Sequence, residues 1–157
     1  MQELFDKDLV VVTGKGGVGK TTVAAALGLA AAAAGRRTIV AEVASRDDIS
    51  RILSGSGARP FDERSVADGL HHVTIDPQHA MEEYLANQLP SKALAELLGR
   101  SRTFTYLAAA TPGMRELLTV GKVWELAQER RRAIGGGATY DLVILDAPAT
   151  GHGVAVL

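Results

Sequence analysis

The run Gly14-Lys15-Gly16-Gly17-Val18-Gly19-Lys20-Thr21-Thr22 constrains this chain more than any other feature. It satisfies G-x-x-x-x-G-K-[ST], with Gly14, Gly19, Lys20 and Thr21 at the required positions. Its context fits as well. The apolar, β-branched stretch Leu9-Val10-Val11-Val12-Thr13 precedes it and an alanine-rich stretch follows, as strand and helix should around a phosphate-binding loop. Glycines let the backbone curl until successive N–H groups point at one anion. The helix N-terminus adds a positive end. Lys20 offers a mobile charge for β- and γ-phosphates, and the Thr21 hydroxyl is placed to ligate Mg²⁺. All nine residues, Gly14 to Thr22, are therefore candidate nucleotide contacts.

Hydrophobic periodicity organises the rest. Strands are expected at 9–13, 38–42, 72–75 and 142–145, the last a continuous apolar run typical of a parallel strand covered on both faces. A helix is expected from Lys20 to Ala34, stopped by Gly35. Ser45 or Asp47 can cap a short helix running through Leu53. Residues 54–68 read as a loop. Pro77 opens a helix to about Gln88, and 91–98, 103–110 and 114–132 read as further helices. The last carries Leu117, Leu118, Val120, Trp124 and Ala127 on one broad face, with Trp124 expected in the core.

Strands alternating with helices imply an α/β fold, a mostly parallel sheet flanked by helices, and one nucleotide-binding domain over residues 1–157. Ligands in such folds lie outside the carboxyl ends of the strands. The loop at 14–20, Glu42, Asp76 and Asp146 all fall there. Asp146 follows four apolar strand residues, the Walker B pattern, and a carboxylate there can hold Mg²⁺ through its water shell.

Composition sets the bounds. The chain has 157 residues, 46% of them hydrophobic, and a formal net charge of −1 with dispersed lysines and arginines. That is a globular chain without a broad electrostatic footprint for nucleic acid; Arg130-Arg131-Arg132 reads as a solvated helix end. With no cysteine there is no disulfide, zinc–thiolate site or thiol trap for a soft metalloid. His71, His72, His79 and His152 match no metal motif. The N-terminus is not a signal peptide, and the longest apolar run, Val23 to Ala34, is too short to span a bilayer. A cytoplasmic location is expected.

Lys15 and the stretch after Asp146 narrow the class. The string Gly-Lys-Gly-Gly-Val-Gly-Lys-Thr-Thr resembles the deviant phosphate loop of the ATPases that include the arsenite-pump ATPase ArsA, the tail-anchored-protein targeting ATPases, MinD, ParA and the nitrogenase iron protein. Asp146-Ala147-Pro148-Ala149-Thr150-Gly151-His152 is similar to the Asp-Thr-Ala-Pro-Thr-Gly-His stretch of the ArsA and targeting branch. Weaker similarities lie at Thr111 to Leu117, at Ile75-Asp76-Pro77 and at Glu82 to Leu85. The resemblance implies an ArsA-type P-loop ATPase that binds ATP and Mg²⁺ and hydrolyses ATP. It further implies a homodimer, or a heterodimer with a paralogue, in which Lys15 reaches the partner's nucleotide, and a cycle coupled to a transporter or membrane-protein client.

Two departures matter. The family places Asp-Pro-Ala after strand two, its Asp positioning the attacking water; here the stretch is Glu42-Val43-Ala44-Ser45-Arg46-Asp47-Asp48, so Glu42 and Asp47 are the candidates for that role, against capping or surface roles. Family members are also about twice as long, and the chain is expected to be the N-terminal portion of such a protein. A MinD/ParA-type positioning ATPase and a nucleotide-binding regulatory subunit with little hydrolysis are the alternatives.

Overall fold

The structure is a computed structural model and describes residues 2–43, 47–55, 62–76, 80–81, 111, 113–128 and 140–149. Five strands and four helices are defined among them. In chain order they are α1 (Gln2–Phe5), β1 (Leu9–Val12), α2 (Lys20–Ala33), β2 (Thr38–Glu42), α3 (Asp48–Ser54), β3 (Arg64–Ala67), β4 (Leu70–Thr74), α4 (Met114–Ala127) and β5 (Leu142–Asp146).

The strands form one sheet in the order β1-β5-β2-β4-β3. Four of them are parallel, and β3 pairs antiparallel with β4 at an edge. β2 and β5 are buried along their whole length, as strands covered on both faces should be. The register sets the function. Val12, Asp146, Glu42 and Thr74 are level with one another at the carboxyl ends of four neighbouring strands. Because β5 is inserted between β1 and β2, Asp146 lies between the loop that leaves β1 and the acids that follow β2.

Alternation along the strands divides the core in two. On one face Val40, Leu70, Leu142 and Ile144 pack with Ala24 and Ala31 of α2, Ile49 of α3 and Phe5 of α1. On the other, Ile39, Ala41, Val73, Val143 and Leu145 pack with Val123 and Leu126 of α4. Each large aliphatic side chain taken from water in these clusters contributes about 1.5–3 kcal/mol before the cost of ordering it. Helix α2 lies close to the sheet because of Gly28: a Cβ there would stand 2.8 Å from Val40 Cγ2 and 2.9 Å from Leu70 Cδ1. The helix ends as its sequence suggests. Gly35 has φ +82°, its N–H donates to the Ala32 carbonyl, and the Arg36 N–H donates to the Ala31 carbonyl, the paired bonds of a Schellman stop.

Two expectations are corrected. Residues 64–67 are strand β3 rather than loop. The cause is Asp68-Gly69, a two-residue hairpin turn with Gly69 at φ +69° and Ala67 paired to Leu70 across it. This hairpin also starts β4 at Leu70. Trp124 is not core: it is 66% exposed. The apolar face of α4 is two stripes, and the buried one is Thr119, Val123 and Leu126, while Leu117, Val120 and Trp124 form an exposed one beside it. α4 is described to Ala127, with Gln128 extended. The expected helices at 77–88, 91–98 and 103–110 lie wholly or mainly outside the described residues.

Candidate nucleotide site

Gly17 and Gly19 sit at φ +75° and +88°, in the left-handed region that favours glycine, and Gly19 caps α2 without a side chain. The first backbone bond of the helix is from the Val23 N–H to the Gly19 carbonyl. The N–H groups of Lys20, Thr21 and Thr22 therefore have no acceptor within the helix and open toward the loop, the arrangement that holds a phosphate. The Lys20 Nζ donates to the Lys15 carbonyl at 3.1 Å, so its ammonium lies along the loop. Lys15 itself is exposed, as are Gly16, Gly17 and Val18. A Cβ on Gly16 would stand 3.7 Å from Ala149 Cβ, which brings the stretch after β5 against the loop.

The sequence placed Thr21 and Asp146 together as metal ligands, 125 positions apart, and the fold puts them in contact: the Thr21 hydroxyl donates to Asp146 Oδ2 at 2.6 Å. The other carboxylate oxygen, Oδ1, is buried and has no hydrogen-bond donor. Burial pushes the Asp146 carboxyl above the usual carboxylate range. The Thr21 hydroxyl opposes this, the Glu42 carboxylate adds to it, Lys20 opposes, and Asp48 adds again. A buried carboxylate short of donors, beside a second acid, calls for a cation. Thr21 donates its hydroxyl hydrogen bond to Asp146 and keeps oxygen lone pairs for a ligand bond. These residues fit a hydrated Mg²⁺ beside a triphosphate.

Glu42 and Asp47, the candidate water-positioning acids, are both buried and both already engaged. Glu42 Oε2 accepts from the Asp48 N–H at 3.2 Å and the Ile49 N–H at 3.3 Å. Asp47 Oδ1 accepts from the Ser50 N–H at 3.0 Å, which settles the choice of cap for α3; Ser45 lies outside the described residues. Asp76 is half-buried after β4, at the same end of the sheet. What sequence reasoning missed is His72. Its ring lies between the two acids, with Nε2 3.2 Å from Glu42 Oε2 and Nδ1 3.4 Å from Asp47 Oδ1. No local motif marks it; the signal is the register of β4 on β2, which sets Val40 level with His72.

A glycine loop opening a helix beside a parallel sheet, with a threonine bonded to the acid of a neighbouring strand, defines a P-loop nucleotide-binding protein of α/β class. Residues 7–157 match the anion-transporting ATPase family of ArsA type, and the chain belongs to that family. It is 32% identical over 149 residues to the ATPase BagA of Mycobacterium tuberculosis, covering 92% of this chain and 43% of that one. It is 28% identical over 146 residues to the ATPase GET3 of Podospora anserina, covering 91% and 40%, and 26% identical over 157 residues to ATPase ASNA1 homolog 1 of Paramecium tetraurelia, covering 94% and 42%. The chain thus spans less than half the length of these relatives. No helix among the described residues is long and apolar enough to cross a membrane.

Proposed function

We propose that this chain is the nucleotide-binding portion of an ArsA-type ATPase that binds ATP with Mg²⁺ and hydrolyses it in the cytoplasm. The observation that carries this reading is the Thr21–Asp146 contact, which closes the phosphate loop onto the acid of β5 and leaves Asp146 Oδ1 without a donor. The N–H groups at the start of α2 would cradle the phosphates, and Lys20 would turn its ammonium from the Lys15 carbonyl to them. Thr21 and Asp146 would hold the Mg²⁺, which supplies charge neutralisation to the triphosphate. Glu42 or Asp47 would orient the attacking water.

Lys15 is exposed at the rim of the loop. There it is suited to reach a nucleotide on a second subunit, a homodimer mate or a paralogue, and to stabilise charge in the transition state. The family's description as anion-transporting favours coupling of this cycle to a transport partner, and the resemblance of Asp146 to His152 to the targeting branch adds a targeting partner as the other form of that coupling. In the full-length protein, Lys15→Ala is expected to leave ATP binding nearly intact and to lower turnover by roughly 10²- to 10⁴-fold, near the range for trans-acting cationic fingers. Mixing it with a Lys20 variant should restore part of the activity. Parallel loss of binding and turnover without complementation would return Lys15 to a local role.

One observation favours a second reading. Both acids, Glu42 at the end of β2 and Asp47 beyond it, are already bonded to the start of α3, as suits a nucleotide-binding regulatory subunit with little hydrolysis. Absence of turnover in the unmodified full-length protein, with ATP bound, would select it.

A further inference from the structure

His72 is 1% exposed and sits on β4, facing α3. Its Nδ1 is 2.9 Å from the Ser50 hydroxyl and 3.4 Å from Asp47 Oδ1, and its Nε2 is 3.2 Å from Glu42 Oε2, off the line of a good hydrogen bond. The three residues come from three places in the chain: the end of β2, the cap of α3 and the middle of β4. The acids flank opposite nitrogens of the ring. One ligand atom from each of the three lies within 4.8 Å of the others, but the acids meet opposite nitrogens of the ring, which suits a charge bridge.

We infer that His72 is a positioning residue: one imidazole bridges Glu42 and Asp47 and so fixes both acids, and with them the start of α3, at the carboxyl end of the sheet.

The argument is one of lone pairs. A neutral imidazole has one N–H and one lone pair. If Nε2 carries the hydrogen, it serves Glu42 and the Nδ1 lone pair faces Asp47. If Nδ1 carries it, the lone pair faces Glu42. In the first tautomer the Nδ1 lone pair accepts from the Ser50 hydroxyl and Asp47 is left to the Ser50 N–H; only the protonated ring presents an N–H toward both acids. The bridge is therefore tighter when His72 is charged and looser when it is neutral. Its consequence for catalysis rests on the proposed nucleotide reading: Glu42 is level with Asp146, so loosening it changes the charge beside the proposed metal acid.

The test needs no nucleotide. Amide hydrogen exchange at Asp48 and Ile49, whose N–H groups donate to Glu42, is measured across the pH range in which an imidazole gains its proton, corrected for intrinsic exchange, in wild type, His72→Gln and His72→Leu. Wild type should be more protected on the acid side. His72→Leu should exchange about tenfold faster or more, because Glu42 loses its partner. His72→Gln should recover part of the protection and show no pH step, since its amide cannot charge. Equal protection in all three proteins, a step that persists in His72→Gln, or no step in wild type would overturn the inference. If His72→Leu does not fold, the comparison of wild type with His72→Gln decides. Loss of ATP binding in a Lys20 variant tests the nucleotide site separately, so the two failures are distinguishable.

Discussion

On the face of the sheet covered by α2 and α3, a helix of small residues lies flat on the strands, Ala24 and Ala31 are fully buried, and Gly28 leaves no room for a methyl group. On the face covered by α4, the stripe Thr119, Val123 and Leu126 is buried and Ala127 packs against the core beside it. Leu117, Val120 and Trp124 stand beside it at 66%, 43% and 66% exposure, next to the partly bare edge strand β1, where Leu9 and Val11 are exposed as well. Between α4 and β1 runs an apolar groove of about 400 Å³. The tight face carries the chemistry. Thr21, Asp146, Glu42, His72 and Asp47 all belong to it, and close packing of α2 is what aims its N-terminus at the end of β5. The groove lies on the opposite face, and Thr13 and Ala147 line its end nearest the phosphate loop.

This contrast can be broken by substitution. Gly28→Ala should be destabilising by about 1–2 kcal/mol net, because overpacking against Val40 and Leu70 outweighs the gain in helix propensity. In a chain of this size that lowers the thermal midpoint by several degrees; an unchanged midpoint would show that α2 is free to lift from the sheet.

Asp146→Asn sharpens the comparison by separating function from stability. Burial raises the Asp146 carboxyl above its unfolded value, so the folded chain binds that proton more tightly than the unfolded chain does. Stability from this group is full at low pH and is lost as pH rises through the shifted value. In ligand-free protein at neutral pH, Asp146→Asn should therefore melt higher than wild type, and the gap should shrink on acidification. The same variant should lose the Mg²⁺-dependent part of nucleotide affinity.

The smallest effect belongs to the loose face. Trp124→Ser should change stability by no more than about 0.5 kcal/mol while reducing self-association in sedimentation, since it removes the largest side chain of the exposed patch. A loss of several kcal/mol would mean that Trp124 packs in solution.

What was legible in the sequence follows how local each signal is. The loop, α2, β2 and β5 were legible because strand, glycine spacing, Lys20 and Thr21 are contiguous and because apolar runs mark fully buried strands. Asp146 was legible because it ends such a run. Strand β3 was missed although its signal, Asp68-Gly69, is local, because the polar stretch before it outweighed four residues of strand. The exposure of Trp124 was not legible: Leu117, Val120 and Trp124 share a helical stripe that looks as apolar as its buried neighbour. The bridge at His72 was illegible for a deeper reason. It depends on β4 lying beside β2 in one register, and strand order is a long-range property that no spacing in the chain records.

The central claim is that residues 14–22 and Asp146 form a site for ATP and Mg²⁺. Titration of the full-length protein with a fluorescent ATP analogue, with and without Mg²⁺, beside Lys20→Ala tests it most directly. The account predicts Mg²⁺-dependent binding in wild type and its abolition in Lys20→Ala, with the variant still folded. Undiminished affinity in folded Lys20→Ala would contradict it.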